Sequence, residues 1–215
     1  MGSALPELSF DAFSERLRRC SPRPLSPASE QALHRHYQEL RRWNRRLSLV
    51  GPGAAPEIVE RHYGESLASL PWVAAGSRLL DVGSGAGFPG FVLAAAEPSL
   101  EVVLVEARQR KWAFLEAARR AARLSCVCLN ATVGDASRAA LPAVVDVITV
   151  RALKLPPRVL AGLALRLAPT GCLLFWSGEI DPVLPDSLDI AERRPLTGVH
   201  RQLLRVVPVV TTVST

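Results

Sequence analysis

A chain of 215 residues, 48% hydrophobic and 21% charged, is long enough for one well-buried domain with an extension, and a second full domain is not expected. Its net charge is +6 and its pI about 9.8, carried almost wholly by arginine because Lys111 and Lys154 are the only lysines, and a basic balance of that size favours a polyanionic partner. No apolar run approaches the ~20 residues of a membrane span, MGSALPELSF lacks a basic stretch followed by an apolar one, and Cys20, Cys126, Cys128 and Cys172 show no metal-ligand spacing, so the expectation is a soluble, unexported cytoplasmic protein with reduced thiols, no membrane partner and no metal.

The first 72 residues read as helices. Residues 9–19 start on Ser9 as a cap and set Phe10, Phe13 and Leu17 on one face. After SPRPLSP, Ser26 and Pro27 form a cap and first-turn pair for a long helix, with an apolar stripe at Leu33, Tyr37, Leu40 and Leu47 that Asn44 interrupts. Arg35, Arg42 and Arg46 fall on another side, which reads either as a solvated basic face or as a contact for nucleic-acid phosphates. A third helix from Pro56 buries Ile58, Val59, Leu67 and Leu70 and also carries Arg61, His62, Glu65 and Ser66; His62 taken alone also reads as an ordinary core histidine.

From residue 77 onward strands and helices alternate. Strands are expected at 78–82, 101–106, 126–130, 144–150 and 172–177, with helices at 88–96, 108–123 and 157–167 between them. One antiparallel pair, 188–195 with 201–210, closes the chain. The pattern predicts an α/β fold with a doubly wound, mostly parallel sheet and a C-terminal antiparallel hairpin, residues 1–72 forming an N-terminal helical extension and 73–215 the α/β domain. There is no internal repeat, and Pro182, Pro185 and Pro195 mark loops.

The chemistry concentrates at residues 78–90, RLLDVGSGAGFPG: a buried-strand pattern, an acid, then a glycine-rich turn opening a helix. Gly83, Gly85 and Gly87 leave the turn without Cβ atoms, so a ligand can touch the backbone at a helix N-terminus. A dinucleotide fingerprint would place its third glycine where Phe88 stands; here the glycines alternate after Asp81. That arrangement, Asp81-x-Gly83-x-Gly85-x-Gly87, resembles motif I of the class I S-adenosylmethionine-dependent methyltransferases, which have a Rossmann-like fold. Read alone it is also a plain tight strand-to-helix turn. The next strand, EVVLVEA, ends on Glu106, about the ~20 residues past the loop at which an acid accepts hydrogen bonds from ribose hydroxyls.

A narrower resemblance rests on WNRRLSLVG (43–51), ERHYGESL (60–67), DVGSGAGFPG (81–90), VEARQRKWAFL (105–115), DVITVRAL (146–153) and HRQLLRV (200–206). In this order and spacing they resemble the bacterial 16S ribosomal RNA guanine-N7 methyltransferases, also called the glucose-inhibited division protein B family. The resemblance implies S-adenosylmethionine as cofactor, contacted by Gly83, Gly85, Gly87 and Phe88, with Glu106 on the ribose and Gly134 and Asp135 beside the adenine. It implies that Arg151 sits near both cofactor and incoming base, that Arg61, His62, Glu65 and Ser66 line the mouth of the site, and that Arg201 is a basic substrate position. The departures fall on the substrate side: Ser48-Leu49-Val50 for Asn-Leu-Thr, Val150 for Ser before Arg151, Ser177 for Lys before Gly178, and Glu65 for Asp.

The implied reaction is methylation of a guanine N7 in small-subunit ribosomal RNA or a ribosomal particle, by a monomer. Guanine N7 has a free lone pair and no proton, so no general base is required. Arg151 is expected to position the partners, and Glu65, by charge, to stabilise the cationic product ring. A binding protein that keeps the fold without turnover, and a methyltransferase for a small molecule or protein, are the competing classes.

Overall fold

The strand patterns pair as a single sheet because each central strand is apolar on both faces and must be covered twice. In the computed structural model, which describes residues 4–51, 53, 55–133, 141–197 and 200–209, seven strands lie in the order β3-β2-β1-β4-β5-β7-β6. They are β1 (Arg78–Val82), β2 (Glu101–Val105), β3 (Val127–Leu129), β4 (Val145–Arg151), β5 (Leu167–Ser177), β6 (Leu188–Pro195) and β7 (Gln202–Pro208). The first five run parallel, and β7 inserts antiparallel between β5 and β6. Chain order reverses between β1 and β4, so the C-terminal ends of β1 and β4 open a crevice of the kind that holds ligands in doubly wound sheets.

Alternation along the strands separates two cores. Leu79, Leu104, Val147, Leu174, Trp176 and Leu203 point to a face covered by the N-terminal helices together with α4 (Gly90–Ala96) and α5 (Gln109–Ala122). Leu80, Val82, Val105, Ile148, Val150 and Phe175 point to the opposite face, where α6 (Pro157–Ala164) contributes Leu160 and Leu163. No described helix is long and apolar enough to cross a membrane.

The N-terminal helices are α1 (Phe10–Cys20) and α2 (Pro27–Leu47), capped as expected: Ser9 Oγ accepts from Ala12 N–H and Ser26 Oγ from Ser29 N–H. Asn44, which breaks the apolar stripe, is buried; its Oδ1 accepts the Val50 N–H at 2.9 Å and folds the chain back over the end of α2. The segment expected as a third helix is a π-helical stretch, Val59–Gly64, running into one α-helical turn, α3 (Glu65–Leu67). The Glu65 N–H reaches the carbonyl of Glu60, five residues back.

Most sheet-domain boundaries fall within two residues of expectation, and two differ by three or more. Helix α6 ends at Ala164 rather than 167, and β5 begins at Leu167 rather than 172. Leu167 pairs with Val145, after which the register jumps so that Cys172 pairs with Val147, with Pro169 in the bulged segment between. Proline and glycine there mimic a turn in the sequence while both flanks remain in the ladder.

Candidate active site

The glycine turn begins where β1 runs out. Amide N–H groups of Gly83 and Ser84 both donate to Val105 O, at 2.9 and 3.0 Å, which ties the turn to the end of β2. Glu106, the next residue, completes the tie: Oε2 accepts from Gly85 N–H at 2.9 Å and Oε1 from Arg108 N–H at 2.8 Å. Each carboxylate oxygen keeps a lone pair for a further donor. Gly83 has φ +74°, a backbone conformation that favours glycine, and a Cβ there would stand 2.8 Å from Leu153 Cδ2 and displace that side chain.

These groups line a cleft of about 470 Å3. Gly83, Gly85 and Glu106 form one side, and Leu49, Val50, Ala131 and Val133 supply apolar wall. Phe88, His62 and Arg151 close the other end, and Lys111 adds a positive charge. Gly85 has φ +53°, the left-handed region that favours glycine, and a Cβ there would be in ordinary contact, at 3.9 Å, with both Glu106 Oε2 and Lys111 Nζ. A bare backbone floor, a carboxylate with unused acceptor capacity and apolar walls fit an adenosyl group.

The arginine and the π-helical segment meet 85 to 90 residues apart in sequence. Arg151 Nη2 donates to Arg61 O at 2.6 Å and to Glu65 Oε2 at 2.7 Å, while Nη1 reaches His62 O and Ser66 Oγ at 3.3 and 3.4 Å. Arg201 Nη2 also donates to Glu65 Oε2, at 2.7 Å. Glu65 is thus a buried carboxylate shared by two guanidiniums, with Trp176 Nε1–H on its backbone carbonyl. Burial lowers the Arg151 pKa to about 10, opposed by the Glu65 charge, so the side chain stays cationic at neutral pH.

Of the residues expected at the site, Gly83, Gly85, Phe88, Glu106, His62 and Arg151 line this cleft. Gly87 faces inward, where a Cβ would meet Phe91 Cβ at 2.9 Å and His36 Nε2 at 3.0 Å. Glu65 and Ser66 lie behind Arg151; the Ser66 hydroxyl donates to His62 O at 2.6 Å. Arg61 reaches Gly53 O at 3.3 Å, and Arg201 borders a neighbouring depression with Gly178 and His200. Gly134 and Asp135 lie outside the described residues.

His62 has an unusual setting. Its ring stacks on Phe88 at 4.9 Å, and both ring nitrogens are buried without a hydrogen-bond partner. Burial first, then Arg151, Arg201 and Arg61, lower its pKa to about 3 and keep it neutral.

A second histidine, His36 on α2, supports the glycine turn and is invisible to motif reading. Its Nε2–H donates to Ala86 O at 3.0 Å, which leaves Nδ1 to accept the Tyr63 hydroxyl at 2.7 Å. Full burial lowers its pKa to about 3 as well. Beneath the turn, Asp81 accepts from Thr149 Oγ1 at 2.6 Å, and burial raises its pKa to about 6.

These shifts set the response to acid. Two histidines with depressed folded pKa values contribute stability that is present above about 6.5 and lost as pH falls towards 3. Asp81, with a raised value, takes up its proton in the folded state between about 6 and 4 and offsets one of them. His36, His62 and Asp81 together give a loss of about 1.4 kcal/mol per pH unit between pH 6 and 4, which the raised Glu65 pKa reduces. Urea midpoints measured at pH 7, 6 and 5 test it, and equal midpoints at pH 7 and 5 would remove the buried neutral histidines.

Comparison with known proteins agrees with this geometry. Residues 29–181 match the GidB family, described as rRNA small subunit methyltransferase G. The chain is 37% identical over 194 residues to the ribosomal RNA small subunit methyltransferase G of Anaeromyxobacter dehalogenans strain 2CP-C, covering 87% of this chain and 89% of that one. It is 35% identical over 195 residues to the protein of that name from Xanthomonas euvesicatoria pv. vesicatoria, covering 88% and 90%. A shorter match, 39% identity over 111 residues, spans about half of this chain and 51% of the relative from Desulfotalea psychrophila.

Among solved structures, TrmN from Thermus thermophilus superposes with a TM-score of 0.55 at 19% identity, over 68% of this chain and 49% of that one. MtNAS in complex with MTA and tNA gives 0.57 at 15% identity, over 93% and 76%; both likenesses concern the fold. Glycine turn, strand-end acid and the arginine that ends β4 therefore stand in a chain that belongs to the ribosomal RNA small subunit methyltransferase G family.

Proposed function

We propose that this protein is an S-adenosylmethionine-dependent methyltransferase that modifies a guanine N7 in small-subunit ribosomal RNA. The observation that carries the reading is one cleft with two differently built ends. At one end Gly83, Gly85 and Glu106 suit an adenosyl group; at the other, Phe88, His62 and Arg151 suit a base and its charge. When bound, the cofactor supplies an electrophilic methyl group on a sulfonium.

The chain's own residues act by placement. Glu106 offers its free lone pairs to the ribose hydroxyls, and the amides of the turn hold Glu106 still. Leu49, Val50, Ala131 and Val133 exclude water from one wall of the cleft. Arg151, fixed by four acceptors, presents positive charge without freedom to swing. Neutral His62, stacked on Phe88, adds uncharged ring surface at that end of the cleft. An N7 lone pair needs no proton removed, and alignment of two reactants is worth up to about 7–11 kcal/mol. The assignment extends to a monomer working in the cytoplasm on RNA or a ribosomal particle, with residues 1–72 as a helical layer and 73–215 as the methyltransferase domain; the four free thiols support the compartment.

The experiment is methyl transfer from labelled cofactor to 16S RNA and to small subunits from a strain lacking the endogenous enzyme, followed by mapping. Label on one guanine N7 is expected, abolished by Gly83→Asp and lowered at least ~10-fold by Arg151→Ala, which removes a charge-assisted hydrogen-bond donor. Cofactor binding without label on either substrate would reject the reading.

A further inference from the structure

A second concavity, of about 550 Å3, lies at the far end of α2 and has no part in the cleft just described. Arg41, Arg42, Arg45 and Arg46 line it, with Trp43 and Leu47 as apolar surface between them. Arg41 reaches Glu7 at 3.2 Å and Arg42 reaches Glu39 at 3.4 Å. Arg45 and Arg46 are exposed and make no hydrogen bond or ion pair with a described residue. A helix C-terminus welcomes one or two cations for a few tenths of a kcal/mol, but four arginines in six positions around an aromatic ring exceed that need.

We infer that this arginine-lined groove is a second binding site for the substrate RNA, taking phosphates of the strand next to the target nucleotide. The inference rests on the proposed RNA substrate. Continuity with the cleft favours that occupant: α2 ends at Leu47, and Leu49 and Val50 already form the cleft wall. Arg46 and Leu49 are three Cα steps apart, at most about 11 Å, so a strand entering the cleft passes the guanidiniums within a few nucleotides. The Val50 amide held by Asn44 fixes that relation. Unpaired guanidiniums match phosphate oxygens, and the Trp43 face offers a stacking surface tolerant of any base.

Binding of a 16S RNA fragment and of small subunits is measured across salt concentration for the parent, for Arg45→Gln/Arg46→Gln, and for Arg19→Gln/Arg120→Gln, which removes equal charge from other helices. The first pair is expected to reduce the slope of log K against log salt by about 1.4, about 0.7 for each phosphate no longer neutralised, and to weaken binding several-fold. Affinity for S-adenosylhomocysteine should stay at the parental value, and the second pair should leave the slope intact. An unchanged slope in Arg45→Gln/Arg46→Gln, or an equal fall in both pairs, overturns the groove while leaving the RNA assignment standing. Failure of the parent itself to bind or methylate RNA overturns both.

Discussion

Replacing Glu65 by alanine is expected to remove about 3–5 kcal/mol of folding stability, among the largest single-residue effects available in this chain. The side chain is 1% exposed, and its Oε2 is the common acceptor of Arg151 and Arg201. Arg151 is itself only 7% exposed, so alanine would leave a buried guanidinium with carbonyl oxygens and a hydroxyl but no hydrogen-bonded carboxylate. Burial raises the Glu65 pKa, against the pull of Arg151, Arg201 and Arg61. Glu65→Gln retains the shape and should fall between parent and alanine. Urea unfolding of the three proteins at pH 7.5 decides the matter: a cost below about 1 kcal/mol for alanine would mean that water already neutralises the arginines.

Glu106→Ala is expected to weaken binding of S-adenosylhomocysteine about 100-fold or more. Hydrogen bonds to a charged group contribute about 1.5–3 kcal/mol each, and two ribose hydroxyls would lose their acceptor. A second effect adds to this one, because the amides of Gly85 and Arg108 lose the carboxylate that holds the turn against the end of β2. Glu106→Gln should be intermediate, since an amide nitrogen cannot accept from one of those backbone donors. Calorimetric titration gives the affinities directly. A change of less than threefold in Glu106→Ala would show that the ribose is held elsewhere.

The parts of this molecule that a reader can take from the sequence are those whose cause is local. Leu79, Leu80 and Val82 announce a strand buried on both faces, Ser26-Pro27 a helix start, and the spaced glycines a turn with exposed backbone, each within a dozen residues. Arg151 and Glu65 can be singled out by motif, but their ion pair joins residues 86 apart, and the third member, Arg201, lies 136 from Glu65. His36 leaves no trace, because its partners, the Tyr63 hydroxyl and a backbone carbonyl at Ala86, belong to other segments. The early start of β5 is hidden for the opposite reason: Pro169 and Gly171 give a strong local turn signal that strand pairing on both sides overrides.

The π-helical stretch before Glu65 has a consequence for how this site can vary. Closing a backbone ring over five residues instead of four is equivalent to carrying one extra residue in an otherwise α-helical segment. Each α-helical residue turns the chain by about 100°, so such an insertion re-aims every side chain upstream relative to those downstream without moving either flank. Here it lets His62 face the cleft while Glu65 faces away towards two arginines. Gain or loss of a single codon between residues 59 and 64 therefore acts as a rotary adjustment of which side chains line the cleft, a change no point substitution in that segment can imitate.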